Sequence, residues 1–267
     1  MATFIATDPQ GYEQYVGRGS RRLAPLFVSY AGASANERVL DVGCGTGNLT
    51  IALGAVEGVS VTGIDLSAPY VEFARRRAAG SSVKFDVGDA LNLPYPDRTF
   101  DRALSMLALD VLPDAAGGLA EMRRVTKPGG TVFVLVNDFR SGWTPFSLLW
   151  DTAAALDPRA GVVRDEMVSK PLGWPGGLAA LFHAGGFLGV VETQLSTLFE
   201  YTSFEDYWST FLTGQGKTGS YVVSLAEAPR RELERLVRAA YLCGMPDGPR
   251  AFATWFWVVR GTVPDVG

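Results

Sequence analysis

Three closely spaced glycines are the residues of this sequence best suited to let a ligand approach the backbone. Gly43, Gly45 and Gly47 lie in the segment VLDVGCGTGNLT, directly after a short apolar run. Glycine lets a chain turn sharply and lets a ligand lie against it, because no Cβ stands in the way. A loop for a dinucleotide pyrophosphate has the spacing G-x-G-x-x-G, whereas here the third glycine comes one residue early and Asn48 takes its place. The spacing therefore favours a ligand that has no phosphate group to be held.

Three aspartates follow apolar runs in the same part of the chain. Asp41 precedes the glycines, Asp65 stands eighteen residues after Gly47 in GIDLS, and Asp89 comes twenty-four residues later in VGDAL. A carboxylate placed like Asp65 can accept hydrogen bonds from both hydroxyls of a ribose, and one placed like Asp89 can accept from an adenine amino group. Asp41 is equally suited to accept N–H groups of the loop or to contact a ligand. Together, the glycines and the acids predict a site for an adenosyl compound.

A parallel sheet would bring these acids to one edge, and the chain between residues 36 and 137 has the corresponding pattern. Short β-branched runs alternate with helix-like stretches, which is typical of parallel strands joined by crossover helices. We predict strands at residues 38–43, 59–65, 82–89, 100–106, 131–136, 187–193 and 251–260. We predict helices at residues 48–55, 69–79, 115–125 and 178–184.

Two segments lie outside this pattern, at about residues 138–176 and 195–250. We interpret residues 1–267 as a single domain in which these inserts form an aromatic-rich lid over the carboxyl ends of the strands. Four of their aromatic side chains are candidates for the wall of an apolar substrate pocket: Trp143, Trp150, Tyr207 and Phe211. Aromatic residues at helical spacing also form ordinary core, so both interpretations stay open.

The composition excludes several classes of function. A net charge of −4 gives no electrostatic reason to expect a nucleic-acid partner. No apolar run approaches the roughly 18 residues of a membrane span, and the N-terminus lacks the pattern of a signal peptide, so we expect no membrane partner and a cytoplasmic location. One histidine and two cysteines, Cys44 and Cys243, form no metal-binding pattern, so we expect a metal-independent protein.

Four segments resemble the class I S-adenosylmethionine-dependent methyltransferases of the ubiquinone/menaquinone-biosynthesis type: VLDVGCGTG (39–47), GIDLS (63–67), GDALNLPYPDRTFD (88–101) and EMRRVTKPGG (121–130). The resemblance implies an α/β, Rossmann-like, seven-stranded and mostly parallel sheet with helices on both faces, and S-adenosyl-L-methionine as the cofactor. In this interpretation Asp65 holds the ribose and Leu66 packs on the adenine, whose edge is held by Asp89 and Ala90. Gly43, Gly45 and Gly47 would line the methionine and ribose parts of the cofactor, and the backbone around Ser105 and Met106 would lie beside the methionine part. Two further candidates for cofactor binding are Asp41 and Asn48.

Only single residues are candidates for assisting the reaction. Asp110, in SMLALDVLPD, and Asp138, after the fifth strand, are each placed to act as a general base, although each is also suited to cap a helix or face solvent. Relatives often carry a histidine after the fourth strand, and this chain does not. In the N-terminal stretch, Tyr15 and Arg18 are candidates to cover the cofactor, with Arg18 pairing with its carboxylate; a surface helix would explain both residues nearly as well.

The predicted function is methyl transfer from S-adenosylmethionine to an oxygen, nitrogen or carbon atom of a small, fairly apolar molecule. We expect a monomer or a homodimer. One alternative is an adenosyl-ligand-binding protein or a non-methylating enzyme on the same fold, since the clearest motifs concern the cofactor alone. An NAD(P)-dependent oxidoreductase is the other alternative, and the glycine spacing argues against it.

Overall fold

A computed structural model describes residues 7–265, in which seven strands form one sheet. The sheet order is β3-β2-β1-β4-β5-β7-β6, and all strands run parallel except β7, which is antiparallel to both of its neighbours. Residues 1–6, which belong to the N-terminus for which we expected no signal peptide, lie outside the described residues. The strands are β1 (Arg38–Val42), β2 (Ser60–Asp65), β3 (Lys84–Val87), β4 (Phe100–Met106), β5 (Thr126–Asn137), β6 (Leu188–Tyr201) and β7 (Arg250–Thr262).

Helices connect these strands, and those predicted within the sheet pattern form within one or two residues of the expected bounds. A π-helical turn at Glu13–Gly17 joins the first two, and 3-10 turns follow β4 and α7. Within residues 7–265 no helix has the combination of length and apolar character that would let it cross a bilayer. The helices are α1 (Pro9–Tyr12), α2 (Arg18–Ala31), α3 (Asn48–Gly54), α4 (Ala68–Arg77), α5 (Ala115–Val125), α6 (Thr144–Leu156), α7 (Pro158–Val168), α8 (Gly177–Ala184), α9 (Phe204–Leu212), α10 (Gly216–Ser224) and α11 (Glu227–Leu242).

Helices cover both faces of the sheet, as the apolar strands require. Side chains alternate between the faces along each strand. On β5, Phe133 and Leu135 pack in a core shared with α2, α6, α9 and α11, whereas Val134 and Val136 pack in a second core with α5 and α8. The predicted Rossmann-like sheet with helices on both faces is therefore confirmed.

The last two strands are longer than predicted, and this changes the picture of the second insert. β6 continues to Tyr201, so residues 195–201 belong to the sheet and not to the lid. β5 ends opposite Phe256, and β6 and β7 stay paired beyond that point up to Tyr201 and Arg250. The hairpin therefore projects past the carboxyl end of β5 and carries α9, α10 and α11 to that edge of the sheet. The alternation of apolar and polar residues was too irregular to show this extension.

Candidate functional site

The glycine loop lies between β1 and α3, where the strand order reverses beside β4. Open parallel sheets bind ligands outside the carboxyl ends of their strands at such a point. Gly43 and Gly47 have φ values of +75° and +88°, which glycine adopts without strain. A Cβ on Gly43 would lie 2.2 Å from the Cβ of Ala108, so the loop packs too closely there for any other residue.

Asp65, at the end of β2, holds the glycine loop in shape. Its two carboxylate oxygens accept hydrogen bonds from the backbone N–H groups of Gly45 and Ser67, each at 2.8 Å. A carboxylate has about four acceptor positions, so both oxygens can accept further bonds. Burial raises its pKa above the usual range, although the two N–H donors oppose that shift. The next residue, Leu66, is 71% exposed and offers an apolar surface beside the carboxylate.

Asp41 lies inside the fold beneath the loop. One carboxylate oxygen accepts a hydrogen bond from the Thr50 hydroxyl at 2.6 Å, and the other is buried without a hydrogen-bond donor among residues 7–265. Burial, and to a lesser extent the charge of Asp65, raises the pKa of Asp41 to about 7. The sequence left two roles open for Asp41. The structure does not support the first, a cap on the backbone N–H groups of the loop, because this hydrogen bond comes from a side chain of α3.

Asp89 and Ala90 lie beyond the third strand and not at its end, because β3 stops at Val87. The Asp89 side chain is exposed, and one of its oxygens accepts the Leu91 N–H at 2.9 Å. Ser105 and Met106 end β4 as predicted, but both side chains are buried. Any contact of Ser105 and Met106 with a ligand would therefore involve their backbone.

Two residues that the sequence did not single out cover the glycine loop. Tyr12 places its hydroxyl 3.9 Å from the position of a Cβ on Gly45. Glu13 accepts hydrogen bonds from the Thr46 hydroxyl and, at 3.1 Å, from the Asn48 amide. The N-terminal segment lies over the loop, where Tyr12, Glu13 and Ser20 contact it, and the prediction that Tyr15 and Arg18 cover the cofactor stays a prediction.

Arg18 is engaged away from the loop, and this geometry does not support its predicted pairing with a cofactor carboxylate. Its guanidinium makes two hydrogen bonds to the carboxylate of Asp206, at 2.7 and 2.9 Å, and a third to the carbonyl of Glu200 at 2.8 Å. It also lies over the ring of Tyr201. Since Asp206 is on α9, Arg18 ties the N-terminal helices to the lid.

A mainly apolar cavity of about 150 Å³ lies between the glycine loop and the inserts. Tyr12 borders it on the loop side and Leu107, directly after β4, borders it on the sheet side. Its polar lining includes Asn137 and two lysines, and no acidic residue of the described part of the chain lines it. The aromatic lining consists of Tyr12, Tyr15, Phe139, Trp143, Phe146, Phe199 and Phe256.

Three of the four predicted pocket aromatics are core residues instead. Trp150, Tyr207 and Phe211 are at most 1% exposed and do not line this cavity. The Trp150 indole N–H donates to the Thr218 hydroxyl at 3.0 Å, and the Tyr207 hydroxyl donates to the carbonyl of Pro145 at 2.6 Å. Both polar groups are therefore satisfied within the helical layer. Only Trp143 lines the cavity, where it stacks on Phe146.

The two candidate bases differ in environment. Asp138 accepts hydrogen bonds from the N–H groups of Arg140 and Ser141 and from the Ser141 hydroxyl, so it stabilises the turn after β5, and its proposed role as a base is not supported. Asp110 is buried behind the cavity wall. One of its oxygens accepts a hydrogen bond from the Asn137 amide at 3.4 Å, and the other is buried without a donor among the described residues.

The polar groups around the glycine loop fit an adenosyl amino acid better than a dinucleotide. The N–H groups of Gly43 and Cys44 both donate to the Ile64 carbonyl, that of Gly45 donates to Asp65, and that of Gly47 donates to the Cys44 carbonyl. These four N–H groups are therefore already engaged and are not available to a pyrophosphate. The carboxylates of Glu13, Asp41 and Asp65 all raise the pKa of Tyr12, so they share one small region. Glu13 is paired with Arg21 and Arg77, so the carboxylates of Asp41 and Asp65 are the ones that would favour a cationic ligand over a phosphate.

Comparisons with known proteins agree with this interpretation. A family profile described as a methyltransferase domain matches residues 39–130. The chain is 36% identical over 179 residues to a demethylmenaquinone methyltransferase of Beutenbergia cavernae, covering 62% of this chain and 71% of the relative. It is 34% identical over 155 residues to the 27-O-demethylrifamycin SV methyltransferase of Amycolatopsis mediterranei, covering 57% and 55%. The chain spans about half the length of several other relatives it matches.

Among solved structures, the chain is similar to phosphoethanolamine N-methyltransferase 2 of Haemonchus contortus in complex with phosphomonomethylethanolamine and S-adenosylhomocysteine. The TM-score is 0.57 and the sequence identity is 15%, and the superposition covers 97% of this chain and 58% of that one. At such low identity the likeness concerns the fold alone.

Proposed function

Since this chain belongs to the class I S-adenosylmethionine-dependent methyltransferases of the ubiquinone/menaquinone-biosynthesis type, we propose that it transfers a methyl group from S-adenosylmethionine to an oxygen, nitrogen or carbon atom of a small, fairly apolar molecule. The observation that carries the proposal is the place of the aromatic cavity, which extends from Tyr12 above the glycine loop to Leu107 after β4. A cofactor on the loop and an acceptor in the cavity would therefore be neighbours.

The cofactor would lie along the carboxyl ends of β1, β2 and β4. Asp65 would accept the ribose hydroxyls with the acceptor positions that Gly45 and Ser67 leave open. Leu66 would pack on the adenine, and Asp89 would accept from the adenine amino group. When bound, the cofactor supplies a methyl group that a sulfonium centre has already activated. The negative field of the loop suits that positive charge.

The protein's main task would be to orient the acceptor and to exclude water, which together lower the barrier of a displacement. Trp143 and Phe146, stacked with ring centroids 4.2 Å apart, form a rigid apolar wall for this purpose. Asp110 does not line the cavity, so we propose that it acts as a positioning residue through Asn137. Burial raises the pKa of Asp110, and Lys170 partly opposes the shift. No group of three or more metal-binding side chains lies within residues 7–265, and we propose a metal-independent reaction.

The direct test has two stages. Isothermal titration of the purified protein with S-adenosylhomocysteine and, separately, with NADH should show saturable binding of the first ligand only. Incubation with S-adenosylmethionine and a panel of one-ring phenols, aromatic amines and aromatic acids should then release S-adenosylhomocysteine together with a methylated product. Binding of NADH in place of the adenosyl ligand would overturn the proposal.

A second candidate function, adenosyl-ligand binding without methyl transfer, is favoured by one observation. Arg18 is bound to Asp206, so the cation expected for the cofactor's carboxylate is engaged elsewhere. Arg77 provides a different cation near the loop, since it donates to the Thr46 carbonyl at 2.8 Å. The two functions separate in the second stage of the test, where saturable binding with no methylated product from any acceptor would favour the binding protein.

A further inference from the structure

Lys170 is a cation in the cavity wall that forms no direct ion pair among residues 7–265, although its charge acts on the buried Asp110 carboxylate at longer range. It lies between α7 and the 3-10 turn Pro171–Gly173, and its ammonium group donates one hydrogen bond, to the backbone carbonyl of Asp110 at 3.0 Å. No carboxylate oxygen of residues 7–265 lies within 4.0 Å of it. The ammonium lies 5.5 Å from the centre of the Phe139 ring, which also lines the cavity. A half-buried ammonium ion with unused N–H groups is a binding group for an anion.

The second lysine of the cavity shows the contrast. Lys217 forms an ion pair with Glu166, with a nitrogen-to-oxygen distance of 3.2 Å. Its charge is therefore balanced by a direct ion pair, whereas Lys170 interacts with the Asp110 carboxylate only beyond ion-pair distance. No acidic residue among the described ones lines the cavity, and the Asp110 carboxylate is buried behind its wall. Lys170 is therefore the group in the lining that would contact a negatively charged ligand.

The size and the lining of the cavity limit what such an anion can be attached to. A volume of about 150 Å³ is enough for a benzene ring and lies below the roughly 300–1,000 Å³ of drug-sized sites. The walls are mostly aromatic rings, which pack well against another flat ring. The cavity therefore fits one aromatic ring better than a fused or branched system.

We infer that Lys170 is the anion-binding residue of the acceptor site and selects acceptors with one aromatic ring that carries an anionic oxygen, either a carboxylate or a phenolate. This inference rests on the proposed function, because it places the methyl acceptor in this cavity. The Asp110 carbonyl orients the ammonium group, and the Asn137 amide, held by the Asp110 carboxylate, lies on the same wall. A phenol bound in this way has already released its proton to water, so the protein needs no base at the ring.

The test uses the full chain saturated with S-adenosylhomocysteine and a ligand-observed NMR titration with three probes: benzoate, 4-nitrophenolate and neutral nitrobenzene. We expect at least one anion to bind more tightly than nitrobenzene. In Lys170→Met, the affinity for that anion should fall about ten- to a hundred-fold, the usual contribution of a hydrogen bond to a charged group. The affinity for nitrobenzene should not change. Benzoate and 4-nitrophenolate show which of the two anionic oxygens is recognised.

Two variants make the result specific. Lys170→Arg keeps the charge and should retain most of the anion affinity. Lys217→Met removes the other positive charge of the cavity, which is already paired with Glu166, and should have a much smaller effect than Lys170→Met. Anion affinity that survives in Lys170→Met, falls equally in Lys217→Met, or is absent in the wild-type protein would overturn the inference. Failure of the proposed function differs from all of these, because the wild-type protein would then either not bind S-adenosylhomocysteine or bind it and methylate no acceptor, whatever residue stands at position 170.

Discussion

Replacing Asp65 by alanine is the sharpest perturbation of the cofactor site, because this carboxylate has two tasks. It holds the N–H groups of Gly45 and Ser67, and its remaining acceptor positions would receive the ribose hydroxyls. Each hydrogen bond to a charged group contributes about 1.5–3 kcal/mol. Loss of two such bonds to the ribose should therefore lower the affinity for S-adenosylhomocysteine by roughly 10²- to 10⁴-fold.

The same substitution also leaves two backbone donors without their acceptor, so a loss of stability has to be separated from a loss of binding. Asp65→Asn keeps the shape of the side chain and one acceptor oxygen, and we expect an intermediate affinity with a smaller change in Tm. Asp114→Ala is the matched control. Asp114 accepts the Gly117 N–H at 2.9 Å at the start of α5, outside the loop. Its removal should affect stability without affecting the affinity for the ligand.

Isothermal titration of the four proteins with S-adenosylhomocysteine measures the affinities, and circular dichroism confirms that each variant is folded at the titration temperature. The reasoning is refuted if folded Asp65→Ala binds within about threefold of the wild-type protein, since that would correspond to less than one neutral hydrogen bond. It is equally refuted if Asp114→Ala lowers the affinity as much as Asp65→Ala does.

Four further predictions concern the loop, the lid and the cofactor chemistry. The pKa of Asp41 is raised to about 7 in the folded chain but is about 3.9 when unfolded. The free energy of unfolding should therefore fall as pH rises from about 4 to about 7, by up to about 4 kcal/mol. Asp41→Asn should flatten this pH dependence in urea titrations, and an unchanged dependence would assign it to other groups. Gly43→Ala would place a Cβ 2.2 Å from the Cβ of Ala108, on a residue whose φ is +75°. The substitution should lower Tm by roughly 4–12 °C in scanning calorimetry. An unchanged Tm would show that the loop is not closely packed. Arg18→Met breaks the ion pair with Asp206 and should lower the free energy of unfolding by about 1–2 kcal/mol. The affinity for S-adenosylhomocysteine, measured by titration, should stay within about twofold of the wild-type value. A large loss of affinity would show that Arg18 contacts the cofactor. Dialysis against EDTA should leave both that affinity and any methyl transfer unchanged, and a loss restored by a divalent cation would disprove metal independence.

The parts of the fold that the sequence predicted well are those in which local pattern and tertiary contact agree. β4 and α5 form with the predicted bounds, Phe100–Met106 and Ala115–Val125, because each strand of a two-sided sheet needs a continuous apolar run and each crossover helix needs one apolar face. The glycine loop and Asp65 were also placed correctly, since a tight turn at a strand end constrains residue types over a few positions. The predicted sixth strand ended too early, at Thr193, because residues 195–201 pair only with β7, beyond the end of β5, and show no regular alternation of apolar residues in the sequence.

The polar residues of the lid were beyond prediction for a physical reason. Whether a charged side chain is free to bind a ligand depends on the partner that it meets, and these partners are distant in the sequence: Arg18 and Asp206 are 188 residues apart, and Lys217 and Glu166 are 51 apart. Before folding, Lys170 and Lys217 are equivalent lysines in aromatic-rich segments. After folding, a carboxylate balances one of them and the other faces an aromatic cavity. The specificity of the site therefore depends less on which charged residues the chain contains than on which of them the fold leaves without a direct ion pair.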